Sequence, residues 1–223
     1  EIGLSLVGSE MCIRDRGGVA LIIPHDYHVV STQVAVPGCV ISATVTKDGE
    51  TSRLISVYLP PDRRQEVLEA AAAAIDDTPG TNTYWGGDIN MQWRSPRDGE
   101  VEDVAAWTAL LARHSSHATA MDGPTRIDQY GESQIDTVAC PAALAGLYRV
   151  TKAWRTSLSD HALIYADPAT KVSTRRDDVL TPWAYKTLPS EAHDDLRRRY
   201  VLLEQMFHVC LLYTSPSPRD SIR

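Results

Sequence analysis

The sequence lacks the features that mark several protein classes. It has only four cysteines in 223 residues and no Cys-x-x-Cys pair, which excludes a disulfide-built scaffold. The most hydrophobic run, residues 19–23, has the length of a strand, and no run approaches the ~20 residues of a membrane helix. Because charged residues make up 23% and hydrophobic residues 43% of the chain, it is neither disordered nor collagen-like. A globular protein of one or at most two domains remains.

Basic residues are also scarce. The chain has 22 lysines and arginines against 29 aspartates and glutamates, a formal net charge of −7. Its bulk charge therefore does not attract polyanions, and binding to a nucleic acid would require local basic patches.

The two ends of the sequence can be encoded by complementary DNA strands. Residues 6–15 and 210–220 can be encoded by the two strands of one DNA segment, over all ten codons of the first stretch. Both stretches resemble the translated transposase adapter of sequencing libraries. We therefore interpret residues 1–16 and 210–223 as adapter-like artefacts and expect them to have no consistent structure. A natural terminal inverted repeat is the alternative, and the source DNA would decide between the two.

Between these ends, the patterning predicts one domain over residues 17–167 and a polar linker and helix over residues 168–209. Cys39 and Cys140 are the only cysteines of this part, which favours a reducing, intracellular setting. Apolar strands, one of them predicted over residues 133–140, alternate with two amphipathic helices, over residues 64–75 and 101–113. The Asp48-Gly49 turn predicts a hairpin between residues 39–46 and 51–59. This mixture predicts an α/β sandwich rather than a purely parallel sheet.

Three polar clusters lie at or beside the ends of predicted strands. Such strand ends are where α/β folds gather ligand-binding groups. Together the clusters offer carboxylates, an amide and an imidazole, a set that suits Mg²⁺ or Mn²⁺ better than zinc and predicts metal-assisted phosphoester hydrolysis. The clustered residues are Asp88, Asn90, Asp136, Asp160 and His161.

Each cluster has a simpler interpretation when it is taken alone. Gly-Asp-x-Asn at residues 87–90 is usually a turn, because these side chains bond to their own backbone. His161 could be an exposed or fully bonded histidine, and Asp136 could simply end a strand. His114 and His117 could bind a metal, but exposed histidines at a helix end are the more common case. The ordered set of clusters is far more specific than any one of them.

The ordered motifs resemble those of the endonuclease/exonuclease/phosphatase superfamily. The segments GGVALII and PTR are most like the endonuclease domain of non-LTR retrotransposons. The resemblance implies a four-layer α/β/β/α sandwich. The segments that carry it are GGVALII (17–23), VYLPP (57–61), GGDIN (86–90), PTR (124–126), SQIDTVA (133–139) and SLSDHALI (157–164).

The resemblance also implies roles for individual residues. Asp88 would activate the attacking water and Asn90 would hold it. Tyr58 would contact the scissile phosphate, and Asp136 would orient His161. His161 would bind that phosphate or share the role of base. Asp160 and Asp88 would bind the metal ion, Mg²⁺ or Mn²⁺. The remaining candidates are arginines that could contact substrate phosphates, although the first two could equally be a solvated helix start: Arg63, Arg64, Arg94 and Arg126.

Two features of the family's pattern are not found in this sequence. The family has an asparagine strand and a metal-binding glutamate strand before the GGVA-like segment, and neither Glu1 nor Glu10 replaces the latter. We therefore expect a fold truncated at the N-terminus. The intact parent would cleave DNA in Mg²⁺, whereas this chain would do so barely or not at all.

Three functions remain open at this stage. The first is a metal-dependent DNA endonuclease domain of a retroelement, which implies DNA as partner, no membrane, a nuclear setting and a downstream polymerase domain. The second is a small-molecule or inositol-phosphate-type phosphatase of the same fold, and the third is an inert pseudo-nuclease fragment. The absence of basic substrate-selecting motifs argues against the phosphatase, and the acidic net charge argues mildly against tight DNA binding.

Overall fold

The computed structural model describes residues 4–8, 18–76, 81–119, 121–154 and 160–168. The helices are α1 (Arg64–Ala74) and α2 (Val101–Arg113), with a short 3-10 helix at Ala142–Leu147. The strands, in chain order, are β1 (Leu4–Gly8), β2 (Ala20–Pro24), β3 (His28–Val36), β4 (Val40–Lys47), β5 (Glu50–Tyr58), β6 (Asn82–Asp88), β7 (Ser116–Ala118), β8 (Arg126–Asp128), β9 (Gly131–Ser133), β10 (Asp136–Pro141), β11 (Tyr148–Ala153) and β12 (Leu163–Pro168).

A six-stranded mixed sheet forms the centre of the fold, in the order β3-β4-β5-β6-β10-β7. β5 and β6 run parallel, as expected for strands joined through a helix. The β4–β5 hairpin turns at Asp48 and Gly49, whose φ angles are 52° and 83°. These left-handed conformations suit Asp-Gly, so the hairpin predicted at this dipeptide is confirmed.

Both helices pack on one face of the central sheet. α1 buries Val67, Leu68 and Ala71 there because these residues share one side of the helix. Trp107 of α2 meets Trp85 of β6 edge to face, with ring centroids 5.6 Å apart. The indoles are 1–2% exposed, so this aromatic pair and the aliphatic side chains around it form the main core.

His114 ends α2 inside the core rather than in solvent. Its side chain is 5% exposed, and its ring centroid lies 5.5 Å from that of Trp85. The expectation of an exposed histidine is therefore wrong, because the chain turns back into β7 directly after the helix and covers the ring.

The opposite face of the central sheet meets a second layer of strands. β1 pairs with β2 and β11 pairs with β12, both antiparallel. A cleft of about 530 Å³ separates β2 and β12 from the central strands β5, β6 and β10. With helices outside one sheet and strands facing the other side, the predicted α/β sandwich is confirmed. Within the described residues, no helix has the length and hydropathy to cross a membrane.

Two local expectations are corrected by the structure. Leu4–Gly8 forms a regular strand, although residues 1–16 were expected to have no consistent structure; β2 has free edge groups with which an extended segment can pair. The single strand predicted over residues 133–140 is divided between β9 and β10, because Gln134 and Ile135 are tied to other segments. The predicted linker and helix after residue 168 and the C-terminal adapter-like segment lie outside the described residues.

Candidate active site at the ends of strands β6 and β10

Strand pairing places two buried carboxylates side by side. Asp88 ends β6 and Asp136 begins β10, and the two residues are direct antiparallel partners. Tyr58, the last residue of β5, is the parallel partner of Asp88 on its other side. Asp88 is 4% exposed and Asp136 is 8% exposed. Neighbouring strand ends thus bring together residues that are far apart in the sequence.

His161 completes this cluster. Its Nδ1 atom lies 2.9 and 3.0 Å from the two carboxylate oxygens of Asp136, and its Nε2 atom lies 4.0 Å from Oδ2 of Asp88. Because a carboxylate only accepts hydrogen bonds, the bond to Asp136 places a proton on Nδ1. Asp136 therefore orients the imidazole so that Nε2 faces Asp88.

The backbone around His161 is fixed by β8. The amide of Ile127 donates to the carbonyl of Asp160 at 2.9 Å, and the amide of Ala162 donates to the carbonyl of Thr125 at 2.7 Å. These two bonds lie on either side of His161. They hold the imidazole in register with β8 before any substrate arrives.

The buried charges shift one another's proton affinity. Burial, with the nearby charge of Asp136, raises the pKa of Asp88 to about 7. Burial alone would lower the pKa of His161, but its hydrogen bond to Asp136 and the surrounding carboxylates raise the pKa overall. The site therefore favours a bound proton or another cation, because its acidic charge outweighs that of the imidazole.

Asn90 follows Asp88 in a left-handed backbone conformation, with φ at 48°. Its amide donates to Oδ1 of Asp88 at 2.8 Å, and its side-chain Nδ2 donates to the carbonyl of Leu59 at 3.0 Å. The loop after β6 is thereby tied both to the candidate carboxylate and to the end of β5.

Tyr58 lies half-buried beside Asp88. Burial raises the pKa of the phenol, and the negative charge of Asp88 raises it further. The phenol is therefore protonated at neutral pH and can donate a hydrogen bond toward a developing negative charge.

Asp160 and Arg126 form an ion pair next to the cluster. The Nε atom of Arg126 lies 2.8 Å from Oδ2 of Asp160, and its second arm lies 2.8 Å from Asp128. Asp160, the predicted metal ligand, is therefore ion-paired with Arg126 in this structure. Arg126, the predicted phosphate contact, binds two aspartates instead.

The other three arginines that were predicted to contact phosphate have different partners. Arg63 is exposed and pairs with Glu66 of its own helix, as a solvated helix start would. Arg64 is largely buried against Asp103 and also donates to the carbonyl of Asn90. Arg94 is exposed and donates to the carbonyl of Met121 at 3.3 Å.

The cluster has the donor chemistry of a cation site. One ligand atom each from Asp88, Asp136 and His161 lies within 4.8 Å of the other two. Carboxylate oxygens suit a hard divalent cation, and such a charge would offset the repulsion that raises the pKa of Asp88. The residues present therefore fit a divalent metal ion.

Thr125 is a site residue that sequence reasoning did not single out. Its hydroxyl accepts hydrogen bonds from the amides of Ile135 and Asp136, both at 3.1 Å, and its side chain is fully buried. The signal was available in the PTR motif, but a threonine beside proline and arginine has no distinctive chemistry of its own.

The described fold is similar to that of solved nucleases and phosphatases. The endonuclease domain of TRAS1, a telomere-specific non-LTR retrotransposon, matches with a TM-score of 0.59 at 18% identity, over 76% of this chain and 81% of that chain. The 3′ phosphatase NExo from Neisseria, bound to a product DNA hairpin, matches at 0.54 and 18% identity, over 74% and 79% of the two chains.

A third similar structure belongs to a family that is named after nucleases and phosphatases. An endonuclease/exonuclease/phosphatase family protein from Leptotrichia buccalis matches with a TM-score of 0.53 at 14% identity, over 75% of this chain and 72% of that chain. No protein-family model matches the sequence, and no curated protein matches it. The chain has the endonuclease/exonuclease/phosphatase fold, and the resemblance inferred from its motifs is confirmed at the level of the fold.

Proposed function

We propose that this domain hydrolyses phosphodiesters with the help of a divalent metal ion, as the DNA endonuclease domain of a retroelement-like protein. One observation carries the proposal: Asp136 orients His161 so that Nε2 faces the buried carboxylate of Asp88, 4.0 Å away. Two of the similar structures are a retrotransposon endonuclease domain and a phosphatase bound to DNA, which supports a nucleic-acid substrate.

The residues of the cluster can divide the chemistry between them. Asp88, with a pKa raised to about 7, suits proton transfer from an attacking water near neutral pH. The raised pKa of His161 favours its protonated form, in which Nε2 can donate a hydrogen bond to a phosphate oxygen. Asn90 and Tyr58 flank Asp88, where an amide and a phenol can hold the water and stabilise the phosphate charge.

The proposed metal ion is Mg²⁺ or Mn²⁺. Asp88 belongs both to the ligand pair predicted from the sequence and to the cluster in the structure, so it is the first proposed ligand. Asp160, held beside the cluster by Arg126, is the second. When bound, the ion supplies Lewis-acid polarisation of the phosphate and neutralises its charge.

The proposed substrate is DNA despite the net charge of −7. The exposed arginines Arg63 and Arg94 would supply the local positive charge that a phosphate backbone requires. In this proposal the parent protein continues into a polymerase region and acts in the nucleus. The sequence of the flanking DNA tests that context directly.

A plasmid-nicking assay with the chain in excess over DNA tests the activity. We expect at most weak nicking by this chain in Mg²⁺ or Mn²⁺, and any nicking that is measured should be abolished by a chelator and by His161→Ala. His117→Ala is the matched control, because His117 is an exposed histidine on β7 away from the cluster. Equal nicking by the chain and by His161→Ala would contradict the proposal.

The same proteins distinguish an endonuclease from a phosphatase. A phosphodiester such as bis(p-nitrophenyl) phosphate should be hydrolysed in a His161-dependent manner, and p-nitrophenyl phosphate should not. Preference for the monoester would support the phosphatase alternative. No hydrolysis of either ester and no Mn²⁺ binding would support an inert pseudo-nuclease.

A further inference from the structure

Arg64 connects the two helices to the loop that carries Asn90. It is the first residue of α1, and its side chain is only 13% exposed. Its Nε atom donates to Oδ2 of Asp103, in the first turn of α2, at 2.6 Å. Its Nη1 atom donates to the backbone carbonyl of Asn90 at 3.1 Å.

The conformation of Asn90 is held by hydrogen bonds to three other residues. A non-glycine residue with a φ of 48° lies in a sparsely populated backbone region. The amide of Asn90 is held by Asp88 and its side chain by Leu59, while Arg64 holds the carbonyl. The orientation of that carbonyl sets the peptide plane after Asn90. The bond from Arg64 therefore restrains the backbone carbonyl of Asn90, in addition to its amide and its side chain.

The surroundings of Arg64 do not suit direct contact with a substrate phosphate. Asp103 is 12% exposed, so its negative charge is not screened by water and already neutralises the guanidinium. An arginine that binds phosphate instead presents its donors to solvent. The geometry therefore favours a role for Arg64 inside the fold over contact with a substrate phosphate at the surface.

We propose that Arg64, held by Asp103, is a positioning residue that fixes Asn90 against Asp88 for the reaction. This inference rests on the proposed function, in which Asn90 holds the attacking water. The positioning role replaces the phosphate contact that the sequence suggested for Arg64. The two roles predict different effects of substitution on kcat and KM.

The main test removes the connection without leaving a buried unpaired charge. The double variant Arg64→Met, Asp103→Leu replaces both charged side chains by apolar ones of similar size, which buried ion pairs often tolerate. In a nicking assay repeated with DNA in excess over the chain, we expect kcat to fall about 10-fold while KM for DNA changes less than about twofold, because misplaced groups slow chemistry more than binding. Arg64→Lys, which lacks the planar fork, should recover only part of the loss.

The matched control is Arg113→Met. Arg113 also joins the two helices, by donating to the carbonyl of Ala72, but it lies at the other end of α2 from the Asn90 loop. We expect this variant to keep the kcat of the unmodified chain. An equal loss of kcat in Arg113→Met would show that any weakening of the helix pair is enough, and it would overturn the positioning role.

A second readout does not depend on catalysis. Hydrogen exchange of the Asn90 amide should accelerate at least about 10-fold in the double variant and remain unchanged in Arg113→Met. Unchanged exchange would overturn the proposal, whereas faster exchange together with nicking that does not depend on His161 would refute only the proposed function. A raised KM in Arg64→Met, with tighter DNA binding in Asp103→Asn, would instead assign Arg64 to phosphate.

Discussion

Gly87 lies where β6 passes closest to β5. Its φ is 148°, and a Cβ atom placed on it would lie 1.8 Å from the backbone carbonyl oxygen of Val57. A backbone atom cannot move aside as a flexible side chain can. Glycine at this position therefore allows Asp88, the next residue, to reach the edge of the site beside Tyr58.

The first prediction compares two neighbouring glycines. Gly87→Ala should lower the free energy of unfolding by at least about 3 kcal/mol, because strain and a backbone clash act together. Gly86→Ala is the control, since a Cβ atom there meets nothing within 4 Å, and it should change stability by less than about 1 kcal/mol. Urea unfolding measures the stability of both variants. Similar losses of stability in the two variants would contradict the close approach of β6 to β5 at Gly87.

The second prediction concerns the raised pKa of Asp88. A carboxyl whose pKa rises from 3.8 to about 7 on folding stabilises the fold fully below about pH 4 and loses that contribution as the pH rises through 7. In metal-free buffer, Asp88→Asn should therefore gain stability relative to the unmodified chain between pH 4 and pH 8, by about 2–4 kcal/mol.

Urea unfolding in the presence of a chelator at pH 4, 6 and 8 checks this prediction. Asp62→Asn serves as the control, because it removes the same charge from an exposed position and should show no comparable gain. A stability difference that stays flat with pH would mean that Asp88 is charged in the folded protein throughout this range.

At the scale of elements, the site depends on how β8 and β10 are joined. The buried hydroxyl of Thr125, one residue before β8, binds the amides of Ile135 and Asp136 at the start of β10. The carbonyl of Thr125 accepts from the amide of Ala162, next to His161. One residue thus aligns the two strand segments that carry the Asp136–His161 pair.

The third prediction tests this connection. Thr125→Val keeps the size of the side chain but leaves two buried amides without an acceptor, which should cost about 2–4 kcal/mol of unfolding free energy. Thr125→Ser keeps the hydroxyl and loses one methyl group, which should cost about 1 kcal/mol. Denaturant unfolding of the two variants should separate them, and a smaller loss for valine than for serine would contradict the role of the hydroxyl.

At the scale of the whole molecule, the main core joins the central sheet to the two helices. The buried side chains of this core come from residues 36–139. β1 contributes the backbone pairing with β2. That pairing covers one edge of the second layer.

The fourth prediction is that a chain lacking residues 1–16 still folds. We expect its free energy of unfolding to fall by less than about 2 kcal/mol, because the main core lies within residues 36–139 and the backbone groups freed at one edge of β2 can bond to water. The freed edge of β2 should increase the tendency to aggregate. Denaturant unfolding and light scattering check the two effects, and loss of cooperative unfolding would show that β1 is an integral part of the fold.

The sequence determined the local elements and the α/β sandwich. The β4–β5 hairpin could be predicted because Asp-Gly favours its turn conformation wherever it occurs, and α2 because its apolar residues recur with the helical period. The motifs also placed Asp88 and Asp136 at or beside strand ends, since polar residues next to an apolar run are a local signal.

The tertiary structure decided which partners the polar side chains take. Asp160 meets Arg126, Arg64 meets Asp103, and His114 turns into the core; each of the first two pairs joins residues more than 30 positions apart. No sequence window contains both members of such a pair. Partner choice depends on strand register and helix packing, because only the folded backbone brings these groups within hydrogen-bonding distance and out of water.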